Sequence, residues 1–250
     1  MSNKILGLIP ARYGSTRFPG KPLALIHDKP MIQLVYEQAK KVLENVYVAT
    51  DDERIFQAVQ SFGGSVVMTS ENHQSGTDRC SEARPEAERI DGRSYDVVIN
   101  IQGDEPFIAP EQISMVAALF NSPRVQIGTL VKKISQWQDI EDPNKVKVVM
   151  NHEAEAIYFS RSPIPHVRGC QVQDWLSRAD FFHHIGIYGY RSAVLDEITR
   201  LESSLLEKSE SLEQLRWLEN GYSIMTAQTT LSVAGIDTPE DLAKVVASGK

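Results

Sequence analysis

Apolar runs of strand length alternate with amphipathic stretches of helical spacing through the first half of the chain. The runs at 5–9, 46–49, 65–68 and 96–101 predict strands, and the stretches between them predict helices. Parallel strands need long crossover connections, which helices usually provide, so this alternation favours a parallel sheet. We therefore expect an α/β fold with a mostly parallel, Rossmann-like sheet and helices on both faces.

The second half of the chain is less regular and predicts antiparallel additions to this sheet. Its strand candidates lie at 128–132, 146–150, 156–160 and 185–190. Ser211 is expected to cap a late helix that carries Leu215 and Trp217, and Thr238 is expected to begin the last helix. There is no internal repeat and no long Gly, Ser or Pro linker. We expect a single domain over 1–250, with an antiparallel insertion over roughly 128–190.

Bulk properties exclude two classes of partner. A formal net charge of −7 over 250 residues argues against nucleic acid, because the phosphate backbone favours clustered Lys and Arg. The first apolar run ends at Pro10, which makes it too short for a membrane span or a secretory signal. We therefore expect no membrane insertion and a cytoplasmic location.

A loop rich in glycine and cations follows the first strand, from Pro10 to Pro22. Gly14 and Gly20 allow backbone N–H groups to approach phosphate oxygens. The cations of the loop are Arg12, Arg17 and Lys21. These groups can neutralise the charge that accumulates as pyrophosphate departs, so the loop predicts a polyphosphate site. The alternative is an ordinary turn-rich connection with solvated charges.

The loop fits neither common nucleotide-binding motif. Five residues separate Gly14 from Gly20, where the Walker A motif has four, and Pro22 stands where that motif has its magnesium-binding hydroxyl. The spacing also fails the GxGxxG pattern of dinucleotide-binding enzymes. A kinase or a dehydrogenase is therefore disfavoured.

Beyond the loop, specific motifs resemble one family. They are Ile9–Arg12, Gly20–Leu23, Ser75–Arg79, Asn100–Pro106, Tyr158–Arg161, His184–Tyr190, Glu213–Arg216 and Gly235–Asp241. Their order and sequence resemble the cytidylyltransferases that activate sugar acids, and in particular the branch that acts on 3-deoxy-manno-octulosonate (Kdo). The match covers nearly the whole chain. It implies a homodimeric, Mg²⁺-dependent nucleotidyltransferase that joins CMP from CTP to Kdo for lipopolysaccharide synthesis and releases pyrophosphate.

The resemblance also implies roles for individual residues. Arg12 and Lys21 would act on the triphosphate, and Asp104 and Asp237 would hold Mg²⁺. The residues implied in CTP binding are Ala11, Arg12, Gly14, Ser15, Lys21, Ser75, Gly76, Thr77, Arg79 and Gln102. Those implied in sugar binding are Arg161, His184, Tyr188, Glu213 and Gln214. Spacing alone leaves open that Asp104 only holds a turn and that Asp237 only neighbours the cap at Thr238.

The chain departs from the family at one loop. Many members carry an aromatic-Asp-Arg-Asp run where this chain has His166–Gly169, so no function is assigned between 164 and 178. A related sugar acid, either sialic acid or an amino-substituted Kdo, is the alternative substrate, although Arg161, His184 and Gln214 favour Kdo. A non-catalytic nucleotide-binding protein would be expected to have lost one of the two aspartates, and both are present.

Overall fold

A computed structural model of the chain describes residues 3–15, 18–232 and 235–247. Its strands are β1 (Ile5–Ala11), β2 (Leu25–Ile26), β3 (Lys29–Pro30), β4 (Asn45–Thr50), β5 (Val66–Met68), β6 (Val97–Asn100), β7 (Ile127–Lys133), β8 (Lys147–Met150), β9 (Ala156–Ser160), β10 (Phe182–Arg191) and β11 (Ile224–Thr229). Its α-helices are α1 (Met31–Lys40), α2 (Glu53–Ser61), α3 (Gly76–Asp91), α4 (Pro110–Leu119), α5 (Gln138–Glu141), α6 (Ser192–Ile198), α7 (Leu205–Glu210), α8 (Gln214–Glu219) and α9 (Pro239–Ala247). Lys21–Leu23 and Val172–Ser177 form 3₁₀ turns.

The central sheet of the described chain has the strand order β11-β7-β10-β6-β1-β4-β5. The strands β6, β1, β4 and β5 are parallel to one another, as the alternation in the first half of the sequence predicts. β10 lies antiparallel between β6 and β7, and β11 is parallel to β7. The predicted α/β class with a mostly parallel sheet is confirmed.

Helices cover both faces of this sheet because successive side chains of a strand point in opposite directions. Leu6 and Leu8 of β1 pack in one cluster with residues of α3, α6 and α8. Ile9 and Ala11 of the same strand pack in a second cluster with residues of α1, α2 and α4. The prediction of helices on both faces is therefore confirmed.

The antiparallel region belongs to the same sheet. β8 pairs with β10 and with β9, so these two strands branch from the central sheet. The predicted strand at 185–190 begins earlier, at Phe182, because the first residues of β10 pair with both β7 and β8. β11, α6 and α7 lie outside the predicted elements.

Local capping determines several helix ends. Asp52 accepts a 2.9 Å hydrogen bond from the Arg54 amide at the start of α2, and Thr238 Oγ1 accepts one of 3.2 Å from the Asp241 amide at the start of α9. The prediction for Ser211 is wrong. This residue ends α7 in the left-handed region with φ of 52°, and α8 begins after Glu213, whose backbone is helical and whose side chain makes no capping hydrogen bond.

Candidate active site

A cavity of about 250 Å³ opens where β1 and β6 end. This is the edge at which open α/β sheets bind ligands. The predicted residues in its lining are Ala11, Arg12, Ser15, Lys21, Ser75, Gly76, Arg79, Gln102, Asp104 and Asp237. His73, Gln74 and Gly103 also line it and were not predicted as site residues, although the first two precede the motif Ser75–Arg79 and Gly103 lies within the motif Asn100–Pro106. The fold thus brings residues from distant parts of the sequence around one cavity.

Two glycines let the loops approach each other at this cavity. Gly20 has φ of +72°, and its amide donates a 2.9 Å hydrogen bond to the Tyr13 carbonyl, which brings the chain back toward the end of β1. A Cβ at Gly103 would lie 2.8 Å from the carbonyl oxygen of Pro10, a contact that side chains do not tolerate. Gly14 is exposed and lies outside the cavity lining, and the predicted cation Arg17 lies outside the described residues.

The Lys21 ammonium lies between the two predicted metal ligands. Its Nζ is 2.7 Å from Asp104 Oδ2 and 3.3 Å from Asp237 Oδ1. The Lys21 side chain is 15% exposed, whereas those of Asp104 and Asp237 are 34% and 49% exposed. These three groups form an ion triad that is open to a ligand on its carboxylate side.

Backbone contacts place Asp237 beside Asp104. The Ile236 amide donates a 3.0 Å hydrogen bond to the Asp104 carbonyl. The Asp237 amide donates one of 3.3 Å to Asp241 Oδ2, a carboxylate that also serves the cap at Thr238. Asp237 is therefore both a neighbour of a helix cap and a member of the triad, so the two readings of this residue are compatible.

The triad has the chemistry of a magnesium site. Mg²⁺ is usually bound by one or two carboxylates, with substrate phosphates and water completing its ligands. Within the described ranges, no group of three or more His, Cys, Asp or Glu side chains is arranged to hold a metal. The two carboxylates already converge on one positive charge, that of Lys21. The residues present thus fit a metal that arrives with a phosphate ligand.

Glu105 is an ionisable group at this site that was not predicted as a site residue. Burial, with a smaller contribution from the charge of Asp104, raises its pKa to about 8. Its Oε2 is buried without a hydrogen-bond partner among the described residues. The only available signal was its place in the motif Asn100–Pro106.

The opposite wall of the cavity is the start of α3. Ser75 Oγ accepts a 3.1 Å hydrogen bond from the Asp78 amide and thereby caps this helix. A Cβ at Gly76 would lie 3.1 Å from the Pro10 side chain, so the helix start packs closely on the end of β1. Thr77 is buried outside the cavity lining, and its hydroxyl donates a 2.8 Å hydrogen bond to Glu213 Oε2.

The Arg79 guanidinium makes its hydrogen bonds to side chains of the cavity wall. It donates to Asp51 Oδ2 at 2.5 Å and to Thr69 Oγ1 at 2.6 Å, and its side chain is only 3% exposed. Asp51 follows β4 and Thr69 follows β5, so this buried pair ties the ends of two strands to α3. Arg79 therefore lines the cavity as a support for its wall.

Three of the predicted sugar-binding residues lie in a row behind Thr77. Glu213 accepts a 2.8 Å hydrogen bond from Arg216, and burial raises the pKa of its carboxyl. The rings of Tyr188 and His184 lie 5.1 Å apart, and His184 Nε2 is 3.0 Å from Thr129 Oγ1. Burial is the main cause that raises the pKa of Tyr188, and the nearby Glu213 charge adds to it. None of these three residues lines the cavity.

The remaining two members of the predicted sugar set lie outside the cavity lining as well. Gln214 is buried in the first turn of α8. The Arg161 guanidinium donates to three backbone carbonyls, those of Glu210 at 2.7 Å, Pro143 at 2.9 Å and Ser211 at 3.4 Å. The sugar-binding roles of all five residues stay predictions.

The fold and the site together define a class of protein. A mostly parallel sheet whose strand ends carry cations, a glycine turn and two converging carboxylates is the arrangement of a nucleotidyltransferase. A family model described as cytidylyltransferase matches residues 6–225. The chain belongs to the 3-deoxy-manno-octulosonate cytidylyltransferase family.

Individual relatives support this assignment. The 3-deoxy-manno-octulosonate cytidylyltransferase of Parabacteroides distasonis is 57% identical over 248 residues, which cover 98% of this chain and 97% of that protein. The structure of CMP:2-keto-3-deoxy-manno-octonic acid synthetase complexed with CTP matches with a TM-score of 0.89 at 44% identity and covers 98% of each chain. A 4-diphosphocytidyl-2C-methyl-D-erythritol synthase from Anaerococcus prevotii, with a TM-score of 0.60 at 10% identity, shares the fold alone.

Proposed function

We propose that this protein transfers CMP from CTP to Kdo, giving CMP-Kdo and pyrophosphate, and so activates Kdo for lipopolysaccharide synthesis. The observation that carries the proposal is the ion triad of Lys21, Asp104 and Asp237 at the mouth of the cavity. The anomeric hydroxyl of the sugar acid attacks the α-phosphate of CTP in line, the bond to the β-phosphate breaks, and pyrophosphate leaves. The relatives that carry the Kdo name span nearly the whole chain, which supports the choice of substrates.

The chain's own cations meet the charge of the triphosphate. Lys21 and Arg12 both line the cavity, although the chain as a whole carries a net charge of −7. A local positive charge can overcome an unfavourable global one where the group faces the ligand directly. Donors placed where negative charge develops lower the barrier to phosphoryl transfer. Lys21 and Arg12 would stabilise the departing pyrophosphate in this way.

Mg²⁺ is the cofactor in this proposal, and Asp104 and Asp237 would hold it. When bound, the ion would neutralise phosphate charge and polarise the phosphoryl group. The convergence of two carboxylates on one cationic nitrogen supports this role. Ser75, Gly76 and Gln102, which also line the cavity, would contact the nucleoside. Hydrogen bonds from such polar groups discriminate strongly between bases, because a wrong base leaves them unpaired.

Pyrophosphate release with a panel of nucleoside triphosphates and sugar acids tests the function. CTP with Kdo should be the best pair, and the rate should depend on Mg²⁺. A higher rate with UTP or ATP would overturn the nucleotide assignment. If sialic acid or an amino-substituted Kdo gave a higher rate than Kdo under matched conditions, the substrate would be that related sugar acid.

We also propose a homodimer that acts in the cytoplasm. The family resemblance supports the dimer, and so does β9, which presents Ile157 with 59% of its surface exposed at the border of the sheet. No helix in the described part of the chain combines the length and apolar character that a membrane span requires. Light scattering at micromolar concentration should give twice the chain mass of 28.0 kDa, and a monomer would overturn the dimer.

A further inference from the structure

A small apolar cluster lies beneath the ion triad. Its buried members are Ile26, Met31 and Ile236, and Phe18, Phe107 and Leu242 pack against them partly buried. We call these six side chains the anchor cluster. Each segment that carries a charge of the triad also contributes to this cluster.

Each charged residue of the triad lies close in sequence to a member of the anchor cluster. Phe18 and Ile26 flank the turn that carries Lys21, and Phe107 follows Asp104 in the loop after β6. Ile236 directly precedes Asp237. Burying side chains from three loops in one cluster restricts how far these loops can move apart. The three segments that carry the triad are thus held together by apolar packing as well as by the ion pairs of Lys21.

The C-terminal segment depends most on this packing. Among the described residues 235–247, Ile236 alone is buried, with 0% exposure, and α9 contributes only partly buried side chains. The Ile236 amide donates a 3.0 Å hydrogen bond to the Asp104 carbonyl. The ion pair of Asp237 with Lys21 is partly exposed, and exposed pairs contribute little to holding a segment in place. The burial of Ile236 therefore contributes to the position of this segment.

We propose that Ile236 is a positioning residue whose burial in the anchor cluster holds Asp237 against Asp104 and Lys21. This inference rests on the proposed function, because the ligand for which the carboxylates are positioned is CTP with magnesium. Ile236 does not line the cavity and acts through the residue that follows it. Truncating Ile236 would leave a void in the cluster and release the segment, so that Asp237 no longer stays at the cavity.

Three variants test this role. Ile236→Ala removes the anchor, and Ile236→Val keeps most of it. Ile140→Ala is the matched control, because Ile140 is also 0% exposed in a small satellite cluster, which it forms with Ile134, Trp175 and Phe181. Two quantities are measured for each protein: the affinity for CTP in the presence of Mg²⁺ by calorimetry, and amide hydrogen exchange at 236–246 in the ligand-free protein.

The expected result separates positioning from general stability. Ile236→Ala should weaken CTP binding with Mg²⁺ by about tenfold or more, the scale of losing a residue that orients a metal ligand. Exchange at 236–246 should rise in this variant without ligand, because local opening becomes easier. Ile140→Ala should keep wild-type affinity despite its own loss of thermal stability, and Ile236→Val should recover most of the affinity.

Contrary outcomes are distinguishable from one another. Wild-type affinity and unchanged exchange in Ile236→Ala would overturn the positioning role while leaving the proposed function intact. An equal loss of affinity in Ile140→Ala would also overturn it, since any loss of stability would then suffice. A wild-type protein that neither binds CTP with Mg²⁺ nor releases pyrophosphate would instead overturn the proposed function.

Discussion

Lys21 donates a 2.7 Å hydrogen bond to the carboxylate of Asp104, although 83 positions separate the two residues in the sequence. The same ammonium reaches Asp237 at 3.3 Å. The charge of Lys21 therefore offsets both carboxylates at the place where the proposed metal would bind. Asp104 and Asp237 would hold the metal, and the Lys21 ammonium would then be available to the triphosphate.

Replacing Lys21 should separate its catalytic role from folding. We expect Lys21→Ala to lower turnover by about 100-fold or more, the scale of losing one donor to developing negative charge. The free energy of unfolding should change by no more than about 1 kcal/mol, because the ion pairs involve partly exposed carboxylates. Steady-state kinetics and thermal melting measure the two effects.

Lys29→Ala is the matched control for this change. Lys29 pairs with Glu37 at 2.7 Å, and both side chains are largely exposed. Its loss should leave kinetics and stability nearly unchanged. If Lys21→Ala also keeps wild-type kinetics, the loop after β1 is an ordinary connection with solvated charges.

Removing the charge of either aspartate should abolish most activity. Asn is nearly isosteric with Asp but neutral, so Asp104→Asn and Asp237→Asn keep shape while weakening attraction for Mg²⁺. Turnover should fall by about 100-fold or more, with melting temperatures close to wild type. Raising the Mg²⁺ concentration should restore part of the rate, because the charge of the substrate phosphates remains.

The exposed Asp180→Asn serves as the control, because Asp180 pairs only with the exposed Lys133 among the ion pairs of the described chain. It should behave as wild type in rate and in Mg²⁺ dependence. Full activity of Asp237→Asn at limiting Mg²⁺ would restrict Asp237 to its place beside the helix cap and leave Asp104 as the one carboxylate ligand.

Two arginines of α3 should differ sharply in stability. Arg79→Ala leaves Asp51, whose side chain is only 14% exposed, without its partner and should cost about 3 kcal/mol or more in the free energy of unfolding. Arg89→Ala removes a pair whose arginine is 72% exposed and should cost less than about 1 kcal/mol. Denaturant titration measures both. Similar costs for the two variants would show that the pair of Arg79 and Asp51 is not a structural support.

The partly buried imidazole of His184 should make stability depend on pH. Burial, with a smaller effect of neighbouring His183, lowers the pKa of His184 to about 3 in the folded protein, against about 6.5 in an unfolded chain. Between these values the unfolded chain binds a proton that the folded protein does not. The contribution of the neutral ring is therefore complete above about pH 6.5 and is lost as the pH falls toward 3.

Denaturant titrations at pH 7 and pH 5 measure this effect. The wild type should lose about 1 to 2 kcal/mol more than His184→Gln over this interval. His152→Gln, at an exposed position, should follow the wild type. Parallel losses in the wild type and in His184→Gln would mean that His184 is protonated in the folded protein at pH 5.

Local patterns in the sequence determined the parallel half of the sheet. The run from Ile5 to Ile9 is apolar at every side chain it carries, and such a strand is stable only when both faces are covered. The caps at Asp52 and Thr238 were also predictable, because each depends on hydrogen bonds within one turn of helix. Ser211 shows the limit of this reasoning, since it ends the preceding helix α7 with a left-handed backbone and so does not cap α8.

The sequence alone also indicated the chemistry of the site, through the cations of the first loop and the aspartates at 104 and 237. Only the tertiary structure decided which groups face one another. Lys21 meets both carboxylates, Arg79 faces Asp51 within the wall, and Ile236 is buried beneath the triad. The physical reason is that periodicity and capping arise between neighbours along the chain, whereas these contacts join distant segments whose positions depend on packing of the whole sheet.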